Sequence, residues 1–390
     1  LKKITVIGRG TVGCLAVAHF YKWTDWQIDW VYDPTIEPAS VGEGTNLIFP
    51  IALGLTLNFD SKDLDAIDSH VKMGIWKRNW SKDGGDFKHT FLSGSVGMHF
   101  NANRFQQYVF NILSKKKRVS CIESNSTDVS QIDSDYIMVC TGTPKTLDDD
   151  FNIRTSIPVN SCVVFQCPWE LPKFDYSLTF AQSQGWAFGI PLKNRCSIGY
   201  LYNKDFVADE KDLFPEAHEL LNEFSLTPAQ TRTLSFKNYT KKINFEGRVC
   251  YNGNASFFLE PLEATSTGFA DMINRIASDL WSGAITHDNA NNFYNRTLTD
   301  IESMILLHYL AGSKYHTPFW EFAQKKAEER MKIEFKEDTN FSRCLLQGVF
   351  NKDEYLPAGQ GIGSWNIRSY VQNIEGLKIK EKLIQIWNSI

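Results

Sequence analysis

The chain has no apolar run approaching the roughly 20 residues that span a bilayer, no CxxC pair, no excess of basic charge, and no internal repeat, low-complexity tract or long linker. Each absence removes a class of protein. Without a membrane span, and with no secretory pattern ahead of the first strand, the expected setting is soluble and cytoplasmic. The eight cysteines (14, 121, 140, 162, 167, 196, 250 and 344) are scattered, with no ligand-like histidine spacing, so neither a disulfide framework nor a metal site is expected. They read as reduced, buried thiols. A net charge of −4 argues against nucleic acid as a partner, whose footprint is a basic surface. The one basic run, Lys115-Lys116-Lys117-Arg118, reads as the solvated end of a helix.

What remains is a chain of 390 residues, 43% hydrophobic, able to bury one large core or two intimately joined ones. Its 11 Trp and 27 Phe must mostly serve that core. The aromatic richness is compatible with self-association into a homo-oligomer and does not require it.

The opening segment Lys3–Ile7 reads as a short buried strand. Gly8-Arg9-Gly10-Thr11-Val12-Gly13 follows, then a helical run to Phe20, then a strand over 27–32 that ends at Asp33. Strand, glycine turn, helix, strand and acid within about 30 residues form a dinucleotide fingerprint. Gly8 lets the chain turn, Gly10 lets backbone N–H groups approach a pyrophosphate, and Gly13 lets the helix pack on the sheet. The helix start favours the anion, and Asp33, twenty residues after Gly13, is placed to accept ribose hydroxyls. A second glycine-terminated strand over 135–142 favours a flavin over a nicotinamide.

Alternating segments such as Cys162–Phe165 and Cys196–Tyr200 predict an antiparallel sheet within about 155–250, laid over the cofactor. From 268 the period becomes helical, with Phe269, Met272, Ile273, Ile276 and Leu280 on one stripe. The expected architecture is α/β: a Rossmann-like FAD-binding fold of the flavin monooxygenase type over 1–285, then a helical substrate-side module over 286–390. In the tail, 360–363 reads as a loop and 378–389 as an amphipathic helix.

Four further segments narrow the chemistry: His70-Val71-Lys72-Met73-Gly74-Ile75-Trp76, Gly185-Trp186-Ala187-Phe188-Gly189-Ile190-Pro191, Phe258–Ser266 with its Glu260-Pro261-Leu262-Glu263 turn, and Val41-Gly42-Glu43-Gly44-Thr45. With the glycine fingerprint, and with weaker agreement at Thr317–Trp320, they resemble the flavin-dependent halogenases from residue 1 to about 320. The resemblance implies that FADH2, O2 and a halide (chloride, bromide or iodide) give hypohalous acid at the flavin. A tunnel then carries it to a lysine that directs electrophilic halogenation of an aromatic substrate. In those terms Lys72 and Glu263 are catalytic. Gly8, Gly10, Thr11, Val12, Gly13, Asp33, Val41, Gly42, Glu43, Gly253, Asn254 and Pro261 hold the cofactor. Thr265 and Ser266 hold the halide, while Trp186, Phe188, Ile190 and Pro191 form the wall between flavin and substrate. Three positions depart from the pattern: Phe188 stands for a tryptophan, Ser266 for a glycine, and Asn254 for the aspartate of the wider superfamily.

The residue types suit these tasks. Lysine offers three donors to an O–halogen group, burial shifts it toward the neutral amine, and a carboxylate accepts the proton that leaves the ring. With no second nucleotide fingerprint, a separate flavin reductase is the expected partner. The short segment after Trp320 implies an open pocket that favours indoles, phenols or anilines over free tryptophan. Two other readings stay open: an aromatic hydroxylase of the same fold, and a flavin-binding protein without catalysis. At single residues the plainer alternatives are a surface lysine at 72, a core tryptophan at 186, and structural histidines at 99, 308 and 316.

Overall fold

The computed structural model describes residues 1–36, 42–92, 94–125, 128–350 and 365–390. Val41 and the expected 360–363 loop lie outside them. Lys3–Ile7 is the centre of a six-stranded sheet, ordered Phe245–Glu246, Val249–Tyr251, Tyr136–Val139, Lys3–Ile7, Gln27–Tyr32, Val119–Glu123, and all but the first strand run parallel. Ile4, Thr5, Val6 and Ile7 are buried in succession, as in a parallel strand covered on both faces. The helix Thr11–Trp23 leaves its C-terminal end and packs beneath the helix Ser266–Trp281.

A second sheet of seven strands is ordered Gln230–Ser235, Ser161–Pro168, Arg195–Tyr202, Gly185–Pro191, Tyr176–Gln182, Gly74–Trp80, Gly85–Thr90. Its strands from 161 to 202 are antiparallel, as the alternation predicted. The sheet also takes in the hairpin 74–90, joined through a parallel pairing of Gly74–Trp80 with Tyr176–Gln182. Local periodicity carries no trace of that long-range pairing. Conversely, Tyr239–Lys241 and Phe245–Tyr251 belong to other sheets.

A small third sheet places Gly42–Gly44 and His70–Lys72 on opposite edges of Gly97–Asn101. The rest is helical: His287–Leu310, Pro318–Lys336, Asn340–Phe350, Ile367–Gly376 and Lys380–Asn388. Phe269, Ile273, Ile276 and Leu280 of the predicted stripe are buried and Met272 is half-buried. Two fully buried tryptophans enter the core with their N–H groups satisfied: Trp80 donates to Thr179 O and Trp320 to Gln182 O. Among the described residues no helix is long and apolar enough to cross a membrane.

Candidate functional site

The glycine turn closes around its own backbone. Gly8 has φ +117, and a Cβ there would lie 2.2 Å from Cys140 O; one on Gly13 would lie 2.1 Å from Gly8 O. Gly10 differs, since a Cβ there would meet nothing within 4 Å, and no side chain caps the helix that starts after it. Thr11 donates to Glu43 Oε1 at 3.1 Å, fastening the 42–45 segment to the turn, and burial raises the Glu43 carboxyl to about 7. Gly253 sits against Val12, 2.8 Å from where a Cβ would be. Asn254 and Pro261 are exposed nearby in the chain, and Asp33 accepts bonds from Thr35 N and Oγ1 at the end of its strand. The glycine turn, Asp33 and Gly253-Asn254 each follow the carboxyl end of a parallel strand, where open α/β sheets bind ligands, whereas Pro261 follows a strand of another sheet.

Lys72 is buried, 1% exposed, at the end of its edge strand. Its Nζ lies 5.8 Å from the Phe91 ring centroid and has no hydrogen-bond partner among the described residues. Burial lowers its pKa to about 8, against the pull of Glu263 and with the push of Lys77.

Glu263 does not bond Lys72. Its Oε1 accepts from Lys77 Nζ at 2.5 Å and its Oε2 from Trp365 Nε1 at 2.9 Å. Lys77 Nζ also lies 2.6 Å from His308 Nε2 and 2.5 Å from Asn373 Oδ1. His308 Nδ1 is 2.9 Å from Met304 O, and His89 Nδ1 stands 3.6 Å from Glu263 Oε2 with no hydrogen bond of its own. Burial alone would raise the Glu263 carboxyl, but the Lys77 ammonium holds it well below the usual carboxylate range. Burial pulls the Lys77 ammonium down while Glu263 pulls it up, and it keeps His308 neutral with a pKa near 4. The carboxylate reaches this place from a turn in which Glu263 (φ +69) and Ala264 (φ +51) are both left-handed, a conformation costing non-glycine residues about 1–2 kcal/mol each. Strain of that kind persists where the surroundings over-determine it.

Thr265 is half-buried and Ser266 exposed at the start of the following helix. Thr265, Glu263, Asn46, Gly268, Met304 and Trp365 line one small cavity. Trp186 is buried, and its indole donates to Tyr309 Oη at 3.0 Å, which in turn donates to the Glu260 carboxylate at 2.9 Å. Phe188 and Ile190 are half-buried and Pro191 buried on the same strand.

From the segment after Trp320, Trp365 donates to Glu263 and Asn373 of the helix Ile367–Gly376 accepts from Lys77. Lys77, His89, Trp365 and Asn373 escaped sequence reasoning. The one available signal was Lys77 itself: in Gly74–Trp80 it shares a face with Ile75, so a charge falls on an inward face. Of the three histidines, His308 joins the cluster, His99 is buried with Nε2 2.8 Å from Ser177 Oγ, and His316 is exposed.

A family model described as tryptophan halogenase matches residues 3–147 and 125–371. Over 210 residues the chain is 23% identical to the tryptophan 6-halogenase SttH of Streptomyces toxytricini, covering 48% of this chain and 38% of that protein. Over 275 residues it is 22% identical to the tryptophan 6-halogenase ThaL of Streptomyces albogriseolus, covering 62% and 50%. The matches thus span half or less of these relatives' length. In fold it is similar to BrvH, a flavin-dependent halogenase from Brevundimonas sp. BAL3, with TM-score 0.78 at 17% identity over 100% of this chain and 96% of that one. Xcc4156, a flavin-dependent halogenase from Xanthomonas campestris, gives 0.77 at 19% over 100% and 94%.

Proposed function

We propose, for a chain that belongs to the tryptophan halogenase family, an FADH2-dependent halogenase that uses O2 and a halide to halogenate an electron-rich aromatic ring. The observation that carries this reading is Lys72, a buried amine with no hydrogen-bond partner among the described residues. An amine with no partner among the described residues has its donors open to a transient acceptor.

When bound, the reduced flavin with O2 supplies the oxidation of halide to hypohalous acid. Gly8, Gly10, Thr11, Val12, Gly13, Asp33, Gly42, Glu43, Gly253, Asn254 and Pro261 are the residues assigned to hold it. The empty space beside Gly10 and the uncapped helix start fit a pyrophosphate. Thr265 and Ser266 are assigned to the halide, and Trp186, Phe188, Ile190 and Pro191 to the wall that keeps flavin and ring apart.

Lys72 donates to the O–halogen group as an ammonium, or takes the halogen as an amine. A pKa about 8 populates both forms near neutrality. The halogen passes to ring carbon, and the displaced ring proton leaves with the hydroxide as water; Glu263, kept ionised by Lys77, is assigned to polarise the hypohalous acid. A separate flavin reductase is the expected source of FADH2.

The test supplies FADH2, O2, an aromatic panel and each halide in turn, with products read by mass spectrometry. A halogen-shifted product from wild type, lost by at least about a hundredfold in Lys72→Ala while FAD binding is retained, is the expected outcome; general acid–base groups of this kind are worth about 10²–10⁴ in rate. A product heavier by one oxygen would favour the hydroxylase, and bound flavin with no oxygen-dependent turnover would favour the non-catalytic binder.

A further inference from the structure

Two lysines, not one, are buried in this region, five positions apart, and they have opposite surroundings. Lys77 Nζ has three donors and three acceptors within 2.6 Å: Glu263 Oε1, His308 Nε2 and Asn373 Oδ1. The proximity of His308 Nδ1 to Met304 O places that ring's proton on Nδ1 and leaves Nε2 a lone pair. Asn373 Nδ2 donates to Ser369 O, which likewise fixes its oxygen toward Lys77. The ammonium is saturated and has nothing left to offer a passing oxidant. The carboxylate is also engaged at both oxygens, by Lys77 and by the Trp365 indole.

We propose that Lys77 is a positioning residue: it is the fixed counter-ion of Glu263, holding that carboxylate away from Lys72, so that Lys72 keeps its donors and its lone pair for the reaction. This inference rests on the assignment of Lys72 made above. Lys77 is well placed for the task because its strand lies inside the seven-stranded sheet, paired to Thr179 on one side and Phe87 on the other, which leaves its backbone little freedom. A lysine at such a position is unfavourable without a partner, since an uncompensated buried charge costs several kcal/mol. The charged and titratable groups facing Lys72 are Glu263, Lys77, His89 and His99; those facing Lys77 are Glu263, His308, His89 and Lys72. If Lys77 were absent, Glu263 would be the one anion among them without a cation, and Lys72 the nearest lysine able to supply it.

The experiment is an NMR titration of protein labelled at lysine Cε and Nζ, with the Lys72 signal assigned by its loss in Lys72→Arg. In Lys77→Met the Lys72 midpoint is expected to rise by about one pH unit or more, a tenfold gain in proton affinity, as Glu263 turns to it. The pH at which halogenation reaches half its maximum should move with it. In the double variant Lys77→Met/Glu263→Gln, which leaves no unpaired charge and keeps the test alive should the single variant not fold, the midpoint is expected to fall below wild type. A Lys72 midpoint unmoved in Lys77→Met, or raised equally in single and double variants, would overturn the proposal, since the first denies any coupling and the second reduces it to simple repulsion. The titration is read without turnover. Absence of halogenated product with the expected shifts would therefore sink the halogenase reading and leave the charge arrangement standing.

Discussion

The glycine turn and the Lys77–Glu263 cluster are built in opposite ways. The turn is contiguous: Gly8, Gly10 and Gly13 act through backbone shape within six residues, and residues from elsewhere such as Trp30, Cys140, Glu43 and Gly253 only buttress it. The cluster is assembled from a sheet strand (Lys77), its hairpin partner (His89), a strained turn (Glu263), a long helix (His308) and the segment from Trp365 to Asn373. A site made of backbone tolerates side-chain change almost anywhere except at its glycines. One made of converging charges fails when any single member is removed.

The largest effect expected on that contrast comes from Glu263→Gln. It strands the Lys77 ammonium, so unfolding free energy measured by urea denaturation at pH 7 should drop by about 3–5 kcal/mol. A loss below about 1 kcal/mol would mean that Lys77 is readily neutral there and the ion pair is weak.

Lys72 gives the next effect, through pH. Its folded pKa, about 8, lies below the ordinary 10.5, so between those values the unfolded chain binds more protons than the native one. Stability withheld at neutral pH is regained as pH rises through that window, amounting to about 3 kcal/mol for a shift of this size. Denaturation of wild type and Lys72→Met from pH 7 to 10 should show the wild type gaining on the variant; parallel curves would place Lys72 in a solvated setting.

The smallest effects separate the glycines. In Gly13→Ala a Cβ meets the backbone of Gly8, and the flavin-free protein should lose about 1–3 kcal/mol. In Gly10→Ala the Cβ meets only open space, so stability should hold while FAD affinity, measured by fluorescence titration, falls by about tenfold. Equal FAD affinity in Gly10→Ala and wild type would remove Gly10 from the cofactor's path.

Legibility in the sequence follows the same division. The parallel core beginning at Lys3–Ile7, the glycine turn, the antiparallel strands between 161 and 202 and the stripe from Phe269 to Leu280 each rest on local periodicity or on one residue type at a fixed offset. The parallel pairing of Gly74–Trp80 with Tyr176–Gln182 joins segments a hundred residues apart and leaves no local mark. At the site, Lys72 and Glu263 are both readable as residues, but their relation is not. They fall in one charged region without bonding, because Lys77 stands at Glu263 instead.

By itself, the sequence determined the fold class and the glycine turn after the first strand, since hydrophobic period and glycine geometry act over a few residues. Only the tertiary structure decided which buried lysine is the ion-pair partner and which is left with its donors unused, and that Trp365 covers the carboxylate. Charge pairing in a dry interior depends on distances between side chains from remote strands, turns and helices, which chain order does not encode locally.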